Sequence, residues 1–345
     1  MFMKKNYFLT ALLVVISAYT SIAQTYVFMM KNADGKWGFA NLKGEVVIAP
    51  QYDNCNPFSE NGLAIVVVDK AFKVINLKGE AISVEVPKYT DAASKKFNDG
   101  LFAIKAGDKC GYLNTSGKLA IPLKYDAATD FDGGYAVVKS GTKFIVIDTK
   151  GTEAPVNESG LLEVKHFSEG FAPARTADKL FGFVNTKGEL AIKSQFKSVG
   201  YFSGGYAWAK TMDDKVGFIN TKGEWVLQPT FTSASDFDPA SKVARVKEID
   251  KWLYVDATGK KIYVNDTEHW GDFSGGLADG TQLGKDGFYN TKGEWVIKPQ
   301  FEGVRDFKNG YAAAKLNGMW GIIDTTGKWV VQPTYSGIRD AELIK

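Results

Sequence analysis

Short apolar runs alternate with polar turns from residue 26 to the end of the chain, and no long stretch carries the three-to-four-residue spacing of an amphipathic helix. Strand-like positions hold β-branched and aromatic residues, as in Phe218-Ile219 and Trp225-Val226-Leu227, types that fit a pleated, half-buried surface. Between those two runs stands Asn220-Thr221-Lys222-Gly223. An Asn or Asp three residues before a Gly recurs nine times, at Asn41/Gly44, Asn76/Gly79, Asn114/Gly117, Asp148/Gly151, Asn185/Gly188, Asn220/Gly223, Asp256/Gly259, Asn290/Gly293 and Asp324/Gly327. Successive glycines lie 34 to 38 residues apart. The Asn or Asp oxygen can accept from the backbone two residues on, and Gly takes the left-handed conformation that closes a type I turn with a bulge. Each pair therefore predicts a β-hairpin. Pro50, Pro229, Pro299 and Pro333 end the second arm, each followed two residues later by Tyr52, Phe231, Phe301 or Tyr335; a residue without a ladder donor suits a strand end.

A second landmark lies between hairpins. Phe97, Phe131, Phe167, Phe202, Phe273 and Phe307 each precede a Gly by three residues, and a short strand follows, such as Tyr311–Lys315. Tyr26–Met30 supplies that strand for the first repeat. The unit is thus about 36 residues with three strands, too little to be stable alone, so each must bury a face on its neighbour. About 27 strands exceed what one open sheet holds before curling, roughly ten. The expected fold is an all-β tandem-repeat array of about nine three-stranded units over residues 24–345, forming a curved solenoid or superhelix, with a closed propeller-like ring as the alternative. Propellers usually carry four to eight four-stranded blades, which nine three-stranded units fit less well.

The first 23 residues read as an export signal: Lys4 and Lys5, an apolar run from Phe8 to Ala18, and small residues at Ser21-Ile22-Ala23. The run is shorter than the roughly 20 residues that span a bilayer, so no membrane span is expected after its removal, and no Cys follows it for a lipid anchor. Cleavage after Ala23 removes two lysines and no acid, taking the net charge from +3 to +1. A near-neutral chain without a basic cluster argues against nucleic acid. Export, to the periplasm, cell surface or medium, permits a disulfide. Cys55 and Cys110 sit in different repeats without metal spacing and are expected to be unpaired and buried, with pairing left open.

At Trp37-Gly38, Trp320-Gly321 and the repeated Asn-Thr-Lys-Gly-Glu-Trp-Val segments the chain resembles the WG-repeat family of bacterial proteins. The resemblance covers everything after the leader. It implies a β-rich repeat array, often exported, and brings no catalytic residues with it. The chain departs from the motif where Phe72-Lys73, Phe144-Ile145 and Trp252-Leu253 replace Trp-Gly, and repeats four and seven lack the Pro-x-aromatic ending.

An enzyme needs a convergent set of polar groups. The two histidines, His166 and His269, fall in repeats four and seven by the hairpin count and motivate the alternative of a hydrolase in the degenerate repeats. No nucleophile elbow, phosphate loop or zinc spacing appears. Asp130-Phe131-Asp132-Gly133 is like part of a calcium loop, but the ligand series stops there. No catalytic residue, metal or cofactor is therefore assigned. Trp225, Trp295 and Trp329 follow the turn at a position where other repeats place Glu153 or Lys261, which points to partial exposure. With Trp208 they are the candidate ligand-binding residues, since exposed Trp stacks on sugars or anchors protein partners. The expected function is an exported, non-enzymatic binding or scaffold protein that presents an extended repeat surface to a protein or an envelope glycan. A purely structural envelope protein is the remaining alternative.

Overall fold

The computed structural model describes residues 25–85, 91–92 and 94–345; the expected leader, residues 1–23, lies outside them. Among the described residues, 36 strands form nine antiparallel sheets of four strands each. In the fourth sheet, Ala127–Ala128, Tyr135–Ser140, Lys143–Asp148 and Glu153–Pro155 lie side by side in chain order. No helix of the described residues is long and apolar enough to cross a membrane.

Two expectations are corrected here. The unit has four strands, not three, because a short strand precedes each inner aromatic: Asn54–Cys55, Ser198–Val199 and Gly303–Val304 are examples. Two residues carry no alternation, so pattern alone passes over them. The array is also a closed ring, not a curved solenoid: the propeller-like alternative is the observed one. The last strand, Gly337–Ile344, pairs antiparallel with the first, Thr25–Lys31, with Tyr26 opposite Leu343 and Met30 opposite Ile338. Trp37–Asn41 and Val46–Tyr52 complete that sheet. Blade one is thus built from both ends of the chain, and no sheet is left without two neighbours.

Equivalent points of neighbouring blades approach most closely beside the axis of such a ring. The residues before the inner aromatics do touch: His166 of blade five stacks on Tyr201 of blade six with ring centroids 4.2 Å apart. The first strand of each blade is therefore the inner one, and the second arm of the hairpin is the outer one.

The core is divided into nine clusters, each shared by two adjacent blades. Tyr112, Ile121 and Tyr125 of blade three pack with Phe131, Ala136 and Ile147 of blade four; Phe28 and Met30 of blade one pack with Ile322 and Val331 of blade nine. The inner aromatic inserts edge-on into the preceding blade, as Phe202 does on Phe183 (4.9 Å), Phe237 on Phe218 (4.6 Å) and Phe307 on Phe288 (4.6 Å). Phe202 is fully buried, a burial that stabilises by about 1.5–3 kcal/mol. Phe58 and Phe237, which lack the Gly three residues on, fill the same place. Beside these rings, Ser168, Ser203 and Ser274 each donate through Oγ to the carbonyl of the next blade's aromatic (2.7, 2.6 and 2.7 Å). Glu169 accepts from Gly204 and Gly205 N–H of the next blade, both at 2.7 Å.

The nine hairpins follow the expected chemistry. Asn220 Oδ1 accepts from Lys222 N (2.9 Å) and Glu224 N (3.1 Å), and Asp256 Oδ1 accepts from Thr258 N and Lys260 N (2.8 and 3.0 Å). All nine closing glycines have φ between 77° and 87°, a region costly to residues with a Cβ.

The glycine of Trp-Gly has a different reason to be there. Gly38, Gly111, Gly217 and Gly321 do not have positive φ, but a Cβ added to them would lie 2.6, 2.6, 2.5 and 2.5 Å from the outer-strand carbonyl oxygens of Ile48, Ile121, Leu227 and Val331. Gly182 and Gly287 meet Ile192 and Ile297 in the same way. In these six blades a bulged outer strand of seven residues crosses over the glycine, and its last aromatic pairs opposite the preceding residue, as Tyr52 does with Trp37. In blades two, four and seven Lys73, Ile145 and Leu253 stand there. The outer strand shrinks to Ala81–Ile82, Glu153–Pro155 and Lys261–Ile262, without a bulge. A side chain at this place excludes the crossing strand.

Candidate functional site

Two kinds of feature stand out: the lining of the axis and the clefts left by the shortened outer strands. Along the axis, blades seven, eight and nine place Asp236, Asp272 and Asp306 before the inner aromatic, and blade one places Asp340 at the equivalent position before Ala341. Much of this charge is already matched. Arg305 Nε donates to Asp340 Oδ1 at 2.7 Å, Lys308 Nζ to Glu342 at 2.6 Å, and Arg245 Nε lies 3.0 Å from Asp272 Oδ1. Asp236 is reachable from the channel, yet crowding by protein, and then the Asp272 charge, push its carboxyl up to about 6. Burial, then Asp272 and Asp340, raise Asp306 as well. Where the ring closes, a cavity of about 480 Å³ is bordered by Asn56, Lys95, Arg305, Arg339, Asp340 and Glu342.

His166 lies on this lining, its Nδ1 3.1 Å from the Tyr201 hydroxyl, and burial holds its imidazole below the ordinary histidine range against the pull of Asp130 and Asp132. His269 lies in the inner strand of blade eight, exposed, with Nε2 3.5 Å from Asp279 Oδ2. By structure the two histidines belong to blades five and eight, and they share no partner. Asp130 does not join a ligand set: among the described residues no group of three or more His, Cys, Asp or Glu is placed to hold a metal ion. Cys55 and Cys110 are both free and buried.

The structure places Trp208 and Trp225 in blade six, Trp295 in blade eight and Trp329 in blade nine, and half-buries each of them. Trp225 packs edge-on against Phe196 (5.7 Å), Trp295 against Tyr289 (5.2 Å) and Trp329 against Phe301 (5.6 Å). Trp208 reaches the Asp236 carboxylate with its indole N–H, in space that a side chain on Gly200 would fill. Residues that sequence reasoning did not single out line two clefts at matching places, between the hairpin of a shortened blade and the linker that leaves it. The cleft of blade four, about 470 Å³, is walled by Lys143, Phe144, Pro155, Val156, Asn157 and Leu161. That of blade seven, about 420 Å³, is walled by Asp250, Lys251, Trp252, Tyr263, Asn265, Glu268 and Trp270. The signal available in the sequence was the loss of Gly after the aromatic at Phe144-Ile145 and Trp252-Leu253.

Comparison with known proteins agrees with this architecture. The WG containing repeat matches six times, at residues 37–70, 111–144, 181–215, 217–252, 287–320 and 320–342, together more than half of the chain. All six of these matches open on, or one residue before, a glycine that lets the outer strand cross. No curated protein matches the sequence. A crystal structure of the eukaryotic initiation factor is similar in fold, with a TM-score of 0.62 at 12% identity, covering 92% of this chain and 98% of that one. BamB from Moraxella catarrhalis aligns with a TM-score of 0.41 at 12% identity, over 79% of this chain and 94% of that one. At 12% identity the likeness to the initiation factor is of fold alone.

Proposed function

The chain belongs to the WG containing repeat family, and from that premise we propose that it is an exported, non-enzymatic binding protein whose ring presents ligand sites to a protein or an envelope glycan. The observation that carries this reading is the contrast between axis and clefts. Along the axis several side chains satisfy one another, as Arg305 does Asp340 and Lys308 does Glu342. In blades four and seven, by contrast, the outer strand is cut short and an open cleft with aromatic and polar walls lies where the rest of it would run. Stability alone gains nothing from such gaps, since close packing is the favoured state of an interior. The rigid ring supports the reading too, because a preorganised scaffold lowers the ordering cost of binding.

The test is to immobilise the ring and expose it in parallel to a glycan array and to detergent-extracted envelope proteins. Saturable capture in either arm is expected, and silence in both refutes the binding role. Fractionation of cells carrying a tagged full chain tests export; retention of the leader and recovery in the cytoplasm would count against it. Replacing His166 and His269 by Ala is expected to leave binding unchanged.

A further inference from the structure

We propose that the cleft of blade seven is a carbohydrate site that receives the apolar face of a pyranose ring against Trp252, Tyr263 and Trp270. The proposal rests on the binding role argued above and names the chemistry of one of its ligands.

Its origin is local. Leu253 stands where regular blades have Gly, so the outer strand stops at Ile262 and no terminal aromatic comes to lie opposite Trp252. The next residue, Tyr263, is 61% exposed, in a chain whose other tyrosines are buried or half-buried where described. Its backbone carbonyl packs against the hairpin glycine of blade eight, Gly293.

The two indoles are each held by a neighbour, Trp252 by Arg245 and Trp270 by Tyr254. The Arg245 guanidinium lies 4.7 Å from the centre of the Trp252 ring, and its Nη1 donates to the carbonyl of Trp270. Trp270 also packs on Tyr254, with ring centroids 5.6 Å apart. The two indole walls are therefore preorganised, which lowers the rotamer-ordering cost that weakens binding to mobile side chains.

The rim supplies the other half of sugar chemistry. Asp250, Lys251 and Asn265 border the cleft, and Glu268 is held there by accepting from Leu283 N–H at 3.0 Å. An amide, an ammonium and two carboxylates offer both donors and acceptors without a strong excess of one charge. That mixture suits a neutral polyhydroxyl ring, whose C–H face packs on an aromatic plane while its hydroxyls bond at the edge; a charged ligand would call for a single sign. The volume, about 420 Å³, lies in the range of small-ligand clefts.

Blade four is an internal comparison. Its cleft is of similar size, but Phe144 is its only ring, and Pro155, Val156 and Leu161 take the places around it. It is not expected to hold a sugar.

The experiment titrates the purified ring with cellotetraose, chitotetraose, maltotetraose and a peptidoglycan disaccharide–peptide, following calorimetry and tryptophan fluorescence. At least one saccharide is expected to bind saturably and perturb the emission. Tyr263→Ala is expected to weaken it by at least about tenfold, as the loss of an aromatic stack implies, and Tyr263→Phe to retain most of it. Phe144→Ala is expected to have no effect. Tyr263 is exposed, so its replacement leaves the fold intact, and unchanged far-UV dichroism checks this. Absence of saturable binding across the panel overturns the proposal, and so does binding that Tyr263→Ala leaves untouched. Capture of envelope proteins by the same preparation, with no saccharide bound, overturns the sugar site while leaving the binding role standing; silence with both removes both.

Discussion

Gly111→Ala is a one-methyl test of why the third blade carries its outer strand. A Cβ there would sit 2.6 Å from Ile121 O, 2.8 Å from Pro122 O and 2.9 Å from Pro122 C. All three are backbone atoms, so no rotamer change relieves the clash. Forcing atoms into a close-packed site costs about 1–3 kcal/mol. If the outer strand Leu119–Tyr125 instead peels away, the clash is relieved but Ile121, 1% exposed, comes into water at about 1.5–3 kcal/mol, and Tyr125 loses its hydrogen bond to Glu153 (2.8 Å). By the cheaper of the two routes the loss is about 1–3 kcal/mol, the size expected of a specific packing failure. Guanidinium denaturation reads the total, and hydrogen exchange reads its place: protection is expected to fall over residues 119–125 while the hairpin at Asn114 and the second strand Leu101–Ala106 stay protected. A variant within 0.5 kcal/mol of the parent, with protection over 119–125 intact, would refute the claim that Gly is required so that the outer strand can cross.

Three further outcomes are expected. Gly223→Ala meets both a φ of 80° and Ile192 Cγ2 at 2.9 Å, whereas Gly310→Ala meets only a φ of 83° with open space around it. The first should lose more than the about 1–2 kcal/mol of the left-handed penalty and the second no more than that; equal losses would show that the neighbouring blade does not matter. The Asp236 carboxyl, held at about 6 against an ordinary 3.8, binds more protons folded than unfolded between those values, so it lowers stability as pH rises from 4 to 6 and the deficit persists above. Asp236→Asn should therefore raise the denaturation midpoint at pH 7.5 and leave it nearly unchanged at pH 3.5; an equal shift at both pH values would rule out titration as the cause. Burial pushes the Cys55 thiol up to about 12 and raises Cys110 too, so both should resist thiol reagents in the native protein and react after unfolding without reductant. Recovery of no thiols under those conditions would mean that they are paired.

The hairpins were legible because their chemistry is local: Asn220 and Gly223 make the same turn whatever lies around them. The strand flanking each inner aromatic was legible for the same reason. The inner strand was not, since two residues such as Ser198–Val199 gain order only from pairing with Ala209 and Lys210. Closure depends on pairs such as Val27 with Glu342, which no local pattern encodes. A signal did exist: Gly337-Ile338-Arg339-Asp340 repeats Gly303-Val304-Arg305-Asp306, so the last strand carries the pattern of a unit's opening strand and can serve the first hairpin. Trp225, Trp295 and Trp329 were legible as partly exposed because other repeats admit Glu and Lys there, and the structure half-buries each of them. The structure packs each against an aromatic ring, and a long side chain at the same place can reach water instead. The clefts announced themselves as lost glycines, but what the loss does becomes visible only once the outer strand is seen to need that space.

Sealing the ring with its own last strand also fixes how many repeats the protein can hold. In an open stack a duplicated or deleted unit merely lengthens or shortens the rod. Here nine units turn through about 40° each, and removing one would demand about 45° from every interface that remains. Unequal recombination within a gene of such similar segments, the commonplace fate of repeat arrays, would therefore strain all the junctions at once and leave Gly337–Ile344 without a matching edge. The count of blades is inherited as a whole number, and variation is confined to what each blade displays.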